Sequence, residues 1–340
     1  MSTRSASERP NIRQVAVIAG VSHMTVSRVL NGHANIKEST RDKVLAAVDE
    51  LGYRPNVAAR ALATQRTLRL GAIIESETEF GPASALRSIH RAARARGYSV
   101  SSVALDDDES TDAWHAFEQL DALGIDALCL VTPRSSSVAA LRSIDPDMPV
   151  LVVKPEREVE FLRVCVDQQL GVTMAVDHLA ALGHRDILHV SGPLDWLDAR
   201  ARERAFRART QSWGMHERPI VAGEWSADFG YDFAVGLQHP PDYTAIVAAN
   251  DQVALGIMHG LHDRGIRVPE DLSIVGFDDA PFSRHSIPPL TTVRQPFDAL
   301  GSAVVDVLLA AIEGRTIPQR TKIPPELIVR LSTARARATP

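Results

Sequence analysis

Apolar positions recur at helical spacing three times within the first 51 residues, and the residues between the runs punctuate them. Asn11 is placed to N-cap a short helix, Ile12 to Ala19, with Val15, Ala16 and Ala19 on one face. Gly20 stops it, because glycine enters the left-handed region without strain. Ser22 caps a second helix over roughly His23 to Leu30, with Val26, Val29 and Leu30 turned inward, and Asn31-Gly32 ends it. A third helix over about Glu38 to Leu51 sets Val44, Leu45, Val48 and Leu51 at helical spacing. Two short helices joined by A-G-V-S form a helix-turn-helix, whose second helix has the dimensions of a DNA major groove.

From Leu68 the pattern changes to apolar strands alternating with helices. Strands are predicted over 68–75, 98–105, 127–131, 149–154, 163–167, 186–192, 245–251, 273–279 and 326–329, and helices near 83–96, 111–123, 171–182, 198–213, 251–264 and 297–313. Such alternation gives parallel sheets with helices on both faces, and this many strands exceeds one unit, so two subdomains are expected. In doubly wound sheets ligands bind beyond the carboxyl ends of the strands. The polar groups there are Glu75, Lys154, Asp167, Asn250-Asp251 and Asp278-Asp279.

Composition changes this picture little, but charge changes it considerably. The 340 residues are 45% hydrophobic and 23% charged, as in an ordinary globular protein. No apolar run reaches the ~18 residues of a membrane span, and MSTRSASERP reads as no signal peptide. Cys129 and Cys165 lie in hydrophobic runs and read as buried thiols of a reducing, cytoplasmic setting. The net charge of −5 argues against a nucleic-acid partner until it is resolved along the chain. Residues 1–66 carry ten basic and five acidic residues, leaving −10 for the remainder. A basic module joined to an acidic body separates a polyanion-binding part from a part with another task.

The run VAVIAGVSHMTVSRVLNG, followed by TRDKVLAAVDELGYRPNVAARAL, resembles the DNA-binding head of the LacI/GalR family. The resemblance covers residues 11 to about 333. It implies a small all-α helix-turn-helix head plus an α/β periplasmic-binding-protein type I-like core of two doubly wound parallel-sheet subdomains. The implied division is a disordered extension at 1–10, a DNA-binding domain at 11–56, a hinge helix at 57–66, a core at 67–333 and a tail at 334–340. Within the core, one lobe takes about 67–166 and 297–324, the other about 167–294 and 325–333.

The resemblance also implies roles. His23, Met24 and Arg28 project toward base edges, while Thr25, Ser27, Asn31, Thr40 and Tyr53 lie near phosphates or brace the module. Asn56 and Arg60 join the DNA-binding set. Arginine suits this role chemically, because its planar fork reads guanine O6 and N7 for about 1–3 kcal/mol of discrimination. Leu62 matches a hinge leucine that wedges into the minor groove, where unstacking a base step costs about a few kcal/mol in exchange for contact. The alternative for this stretch is a plain helical linker.

For the effector cleft the resemblance assigns Arg202 to clamp ligand hydroxyls, Asn250 to bind ligand, Trp225 to stack, and Asp278, Gln295 and Phe297 to complete the pocket. Amides, carboxylates and an arginine bracketing hydroxyl pairs, with an aromatic face, suit a sugar or glycoside. The alternatives are strand-end capping for Asn250 and Asp278 and ordinary burial for Trp225. Lys154 and Glu75 replace an aspartate and a serine of the family's type member. They either pair with each other or Lys154 meets an anionic ligand, so galactoside specificity does not transfer.

The expected partners are a palindromic double-stranded operator, a sugar effector and a second copy of the chain, with no membrane, metal or other cofactor. STARARATP has no heptad pattern, so the type member's tetramerising helix is missing and a homodimer is expected. Ala85, Leu86, Ile89 and Ala93 form one stripe, which serves either as a dimer face or as a core face. No catalytic motif such as G-x-S-x-G or a P-loop is found, and His259 and His262 read as exposed helix histidines. The expectation is a repressor released by its effector. The alternatives are a corepressor-dependent regulator, or a sugar-binding or sugar-converting protein without DNA function.

Overall fold

The computed structural model describes residues 10–30, 35–53, 66–105, 113–131, 134–144, 146–153, 161–237, 241–317 and 321–337. The N-terminal extension, most of the hinge segment, and the candidates Asn31, Asn56, Arg60, Leu62 and Lys154 lie outside the described residues. The chain divides into two units, Met1–Thr67 and Leu68–Pro340.

The first unit holds α1 (Ile12–Ala19), α2 (His23–Leu30) and α3 (Glu38–Leu51). Asn11 Oδ1 accepts from the N–H groups of Arg13 and Gln14, and Gln14 Oε1 accepts in return from Asn11 N at 2.8 Å, a reciprocal capping box. Gly20 takes φ +65°, and Ser22 Oγ accepts from Thr25 N at 3.1 Å to start α2. Val15, Ala16, Ala19, Val26, Val29, Val44, Ala47 and Tyr53 form the core. Leu45 is a correction: it is 45% exposed, and Ala47 is buried in its place. Residue 45 lies about 100° around the helix from Val44, off the stripe that 44, 47, 48 and 51 share.

The second unit contains two six-stranded sheets. The first comprises β1 (Arg69–Ile74), β2 (Ser99–Ala104), β3 (Ala127–Val131), β4 (Val150–Val153), β5 (Leu162–Val166) and β11 (Lys322–Ile323), in the order β2-β1-β3-β4-β5-β11. All its pairings are parallel, with Leu70 opposite Ala127 and Leu128 opposite Val150. The second comprises β6 (Ile187–Ser191), β7 (Val221–Ala222), β8 (Ala245–Ala248), β9 (Ser273–Asp278), β10 (Thr291–Arg294) and β12 (Glu326–Ile328). Its order is β7-β6-β8-β9-β10-β12, and β12 alone pairs antiparallel. Central strands β3, β4, β6, β8 and β9 are buried throughout, as strands covered by helices on both faces must be.

The helices are α4 (Phe80–Ala95), α5 (Ala113–Asp121), α6 (Ser135–Ile144), α7 (Gln168–Ala181), α8 (Leu197–Ser212), α9 (Ala227–Gly236), α10 (Asp251–Asp263) and α11 (Phe297–Ile312). The stripe on α4 is a core face: Ala85, Ile89, Ala92 and Ala93 pack with Leu300, Val304 and Leu308 of α11. The chain passes between the sheets after Val166, after Arg294 and after Ile323. At the first passage Asp167 is not a strand residue as expected. Its Oδ1 caps α7 through Leu170 N at 3.0 Å, so the helix begins at Gln168, three residues before the predicted start.

Candidate functional site

In the head, α2 presents His23, Met24 and Arg28 outward, with Met24 58% exposed, while Val26 and Val29 anchor the opposite face. Thr25 and Ser27 are half-buried on the flanks of this surface, and Thr25 Oγ1 lies 2.9 Å from Ser22 Oγ. Thr40 sits half-buried in the first turn of α3. Tyr53 is buried in the head core, a bracing position. A helix with three outward polar or soft apolar side chains on a rigid three-helix base suits a major groove.

In the second unit a cavity of about 570 Å³, part of it open to solvent, lies between the two sheets at their strand ends. The first lobe contributes Val153, Cys165 and Val166 from its strands, Gly81 and Pro82 from α4, and Phe297 and Leu300 from α11. The second contributes Trp196, Asp198, Arg202, Trp225, Asn250 and Asp278, with Gln168 and Gln295 at two of the passages between lobes. Six sequence candidates therefore converge here: Arg202, Trp225, Asn250, Asp278, Gln295 and Phe297.

Arg202 is the centre of the polar network. Its Nε donates to Gln168 Oε1 at 2.9 Å and its Nη1 to the Ala249 carbonyl at 2.5 Å. The guanidinium lies 3.8 Å from the Phe277 ring centroid and 5.6 Å from that of Trp225. Gln168 Nε2 donates to Gln295 Oε1 at 3.0 Å, and Gln295 Nε2 donates to Asp278 Oδ1 at 2.7 Å. Asp278 closes the circuit, 3.9 Å from Arg202 Nη2. Burial pushes the Asp278 carboxyl up to about 6, against the opposing pull of Arg202 and Gln295. Its backbone has φ +112°, a strained conformation for a side-chain-bearing residue that fixes the carboxylate at the strand end.

Asn250 lines the cavity and fulfils the capping alternative too. Its Oδ1 accepts from Val253 N at 2.8 Å to start α10, and its Nδ2 donates to the Trp225 carbonyl at 3.0 Å. Trp225 packs edge-to-face on Trp196, ring centroids 5.7 Å apart. A Cβ at Gly192 would come within 2.6 Å of the Trp225 ring, so glycine there is what admits the indole. Phe297 packs edge-to-face on Phe80 at 6.0 Å.

Glu75 does not line this cavity. Its buried carboxylate accepts from Arg134 N at 2.9 Å, with Arg134 Nε at 3.6 Å, and burial raises its pKa against these contacts. Asp251 is a framework residue, accepting from Ala280 N and Ser283 Oγ behind the pocket wall. Asp279 pairs with Arg294 and Arg330.

Sequence reasoning missed Gln168, Trp196, Asp198 and Cys165. The signal for Asp198 was its position one helical turn before Arg202 in LDARARERAF, which places both on one face. Gln168 was legible only once Asp167 is read as a helix cap.

A helix-turn-helix head and a two-lobed parallel-sheet body with an enclosed polar–aromatic cleft define a ligand-binding regulator class of fold. Residues 11–56 match the family model "Bacterial regulatory proteins, lacI family", and residues 176–333 match "Periplasmic binding protein-like domain". The chain is 34% identical to the lactose operon repressor of Escherichia coli K12, over 94% of this chain and 89% of that protein. It is 31% identical to the ribose operon repressor of the same strain, over 94% of this chain and 98% of that one. It is 32% identical to the HTH-type transcriptional regulator CelR of Thermobifida fusca, over 95% and 98%. Among solved structures, the lac repressor dimer bound to operator and the anti-inducer ONPF superposes with a TM-score of 0.84 at 30% identity, covering 96% of this chain and all of that one. The transcriptional regulator CelR–cellobiose complex gives 0.69 at 27% identity, covering 95% of this chain and all of that one. The chain belongs to the lacI family of bacterial regulatory proteins. Among the described residues no helix is long and apolar enough to cross a membrane.

Proposed function

We propose that this chain is a cytoplasmic transcriptional repressor that binds a palindromic operator as a homodimer and is released by a sugar or glycoside. The observation that carries this reading is the Arg202–Gln168–Gln295–Asp278 circuit in the interlobe cavity. Arg202 has five N–H donors, and its bonds to Gln168 and Ala249 leave N–H groups beside Asp278 for ligand hydroxyls. Trp225 and Phe297 provide apolar faces for the C–H side of a sugar ring. The network spans both passages between lobes, so a ligand held there favours one lobe arrangement over another.

In this reading His23, Met24 and Arg28 read bases, with Asn31, Thr40, Asn56, Arg60 and the Leu62 wedge serving the backbone and minor groove. The relatives are named repressors and regulators, which supports sensing of the sugar over its conversion. Arg202→Ala is the direct test. The variant should lose the sugar response while binding operator as the wild type does, measured by fluorescence anisotropy of labelled DNA. Loss of operator binding as well would refute the division of labour.

A further inference from the structure

Of the polar side chains lining the cavity, several have their hydrogen-bonding capacity engaged by the protein. Asn250 uses both ends of its amide on Val253 and Trp225, and Gln168 and Gln295 bond each other and their neighbours. Asp198 differs. It stands in the first turn of α8, on the cavity wall, and among the described residues no hydrogen bond or ion pair reaches its carboxylate. Arg202, one turn further along the same helix, is committed to Gln168 and Ala249. Burial raises the Asp198 pKa, and the field of Arg202 opposes that rise. A carboxylate facing an enclosed, aromatic-walled space without a donor is costly unless something entering that space supplies one.

The charge of the lining points the same way. Asp198, Asp278 and Glu79 stand against Arg202 among the described lining residues. An entering phosphate or carboxylate would meet like charge in a poorly solvated space, where such repulsion is strong. An entering polyol would instead give Asp198 one or two O–H donors, and Trp196 beside it offers an apolar edge.

We infer that Asp198 is a specificity-determining residue of this cleft, which accepts hydroxyl hydrogens from an uncharged sugar and excludes phosphorylated or carboxylated sugars. The inference rests on the sugar reading given above and narrows its ligand class. It also gives Asp198 a role distinct from that of Arg202: the arginine donates to the ligand and the aspartate accepts from it.

The test uses the full chain, thermal shift and titration calorimetry. The probes are ribose, glucose, lactose and cellobiose, with ribose 5-phosphate and glucose 6-phosphate as the anionic members. At least one uncharged sugar should raise the melting temperature, and no phosphorylated sugar should do so as strongly. Asp198→Asn and Asp198→Ser should weaken the binding uncharged sugar at least tenfold, and both should bind operator DNA without sugar as the wild type does, which establishes that they fold. A phosphorylated sugar that binds best, or a folded variant with unchanged sugar affinity, would overturn the role of Asp198 and leave the sugar reading standing. If no sugar of either kind binds the wild type, the sugar reading itself falls and this inference falls with it.

Discussion

Arg202 is held in place by residues that take no charge themselves. Gln168 is buried, accepting from Arg202 and donating to Gln295. Its removal leaves the guanidinium Nε and the Gln295 oxygen without their partner, and an unsatisfied buried group costs about 1–3 kcal/mol. Gln168→Leu should therefore lower the stability of the body by about that amount and weaken sugar binding, with operator affinity in the absence of sugar retained. Equal sugar affinity in calorimetry would show that Arg202 positions itself. A second residue-scale effect concerns His189. Its Nδ1–H donates to the Val247 carbonyl at 2.8 Å, its ring stacks on Phe206, and burial pushes its pKa down to about 4. The unfolded chain takes up the proton near the ordinary 6.5 and the folded chain only near 4, so the stability from neutral His189 is full above pH 6.5 and lost as pH falls toward 4. The effect is worth up to about 3 kcal/mol. Asp251 and Asp278, raised to about 7 and about 6, act oppositely, their contribution being lost as pH rises through those values. Comparing urea midpoints of wild type and His189→Gln from pH 7 to pH 4 isolates the histidine. The variant should show the shallower decline.

At the scale of elements, local signals decided what was legible. Helices α1 and α2 are marked by Asn11, Gly20 and Ser22, whose capping and turn chemistry act within a few residues. Asn11→Ala should lower the stability of the head by about 1 kcal/mol, read as loss of its melting midpoint, and an unchanged midpoint would show that the capping box contributes nothing. The central strands were legible as apolar runs because both of their faces are covered. Strands β7 and β11 are two residues each, too short for any period, and β10 begins with two threonines between prolines. Helices α6 and α9 were missed for compositional reasons: SSSVAALRSI opens on three serines, and ADFGYDFAVG carries two glycines. At the site, the six convergent residues lie in motifs recognisable from the family. Trp196 and Gln168 come from a loop and a helix start whose place in the cavity depends on tertiary packing, which no local pattern encodes. Glu75 was read as a cleft residue from its strand-end position, but the Arg134 segment covers it.

For the whole molecule the net charge of −5 divides into +5 on residues 1–66 and −10 on the rest. Polyanion affinity thus resides in the first unit, and its salt dependence should follow the basic residues of that unit alone. Arg28→Ala should relax base preference at the position it reads, costing about 1–3 kcal/mol on the preferred sequence. The two activities are joined by linkage: if a sugar weakens operator binding by some factor, operator must weaken sugar binding by the same factor. The most direct measurement takes the DNA that the full chain selects from a random-sequence pool, and titrates it with protein in the absence of sugar and with the stabilising sugar at saturation. The account predicts enrichment of an inverted repeat whose affinity falls with sugar, by roughly 5- to 150-fold for a typical coupling. A sugar that binds the body and leaves the affinity for that DNA unchanged would contradict it.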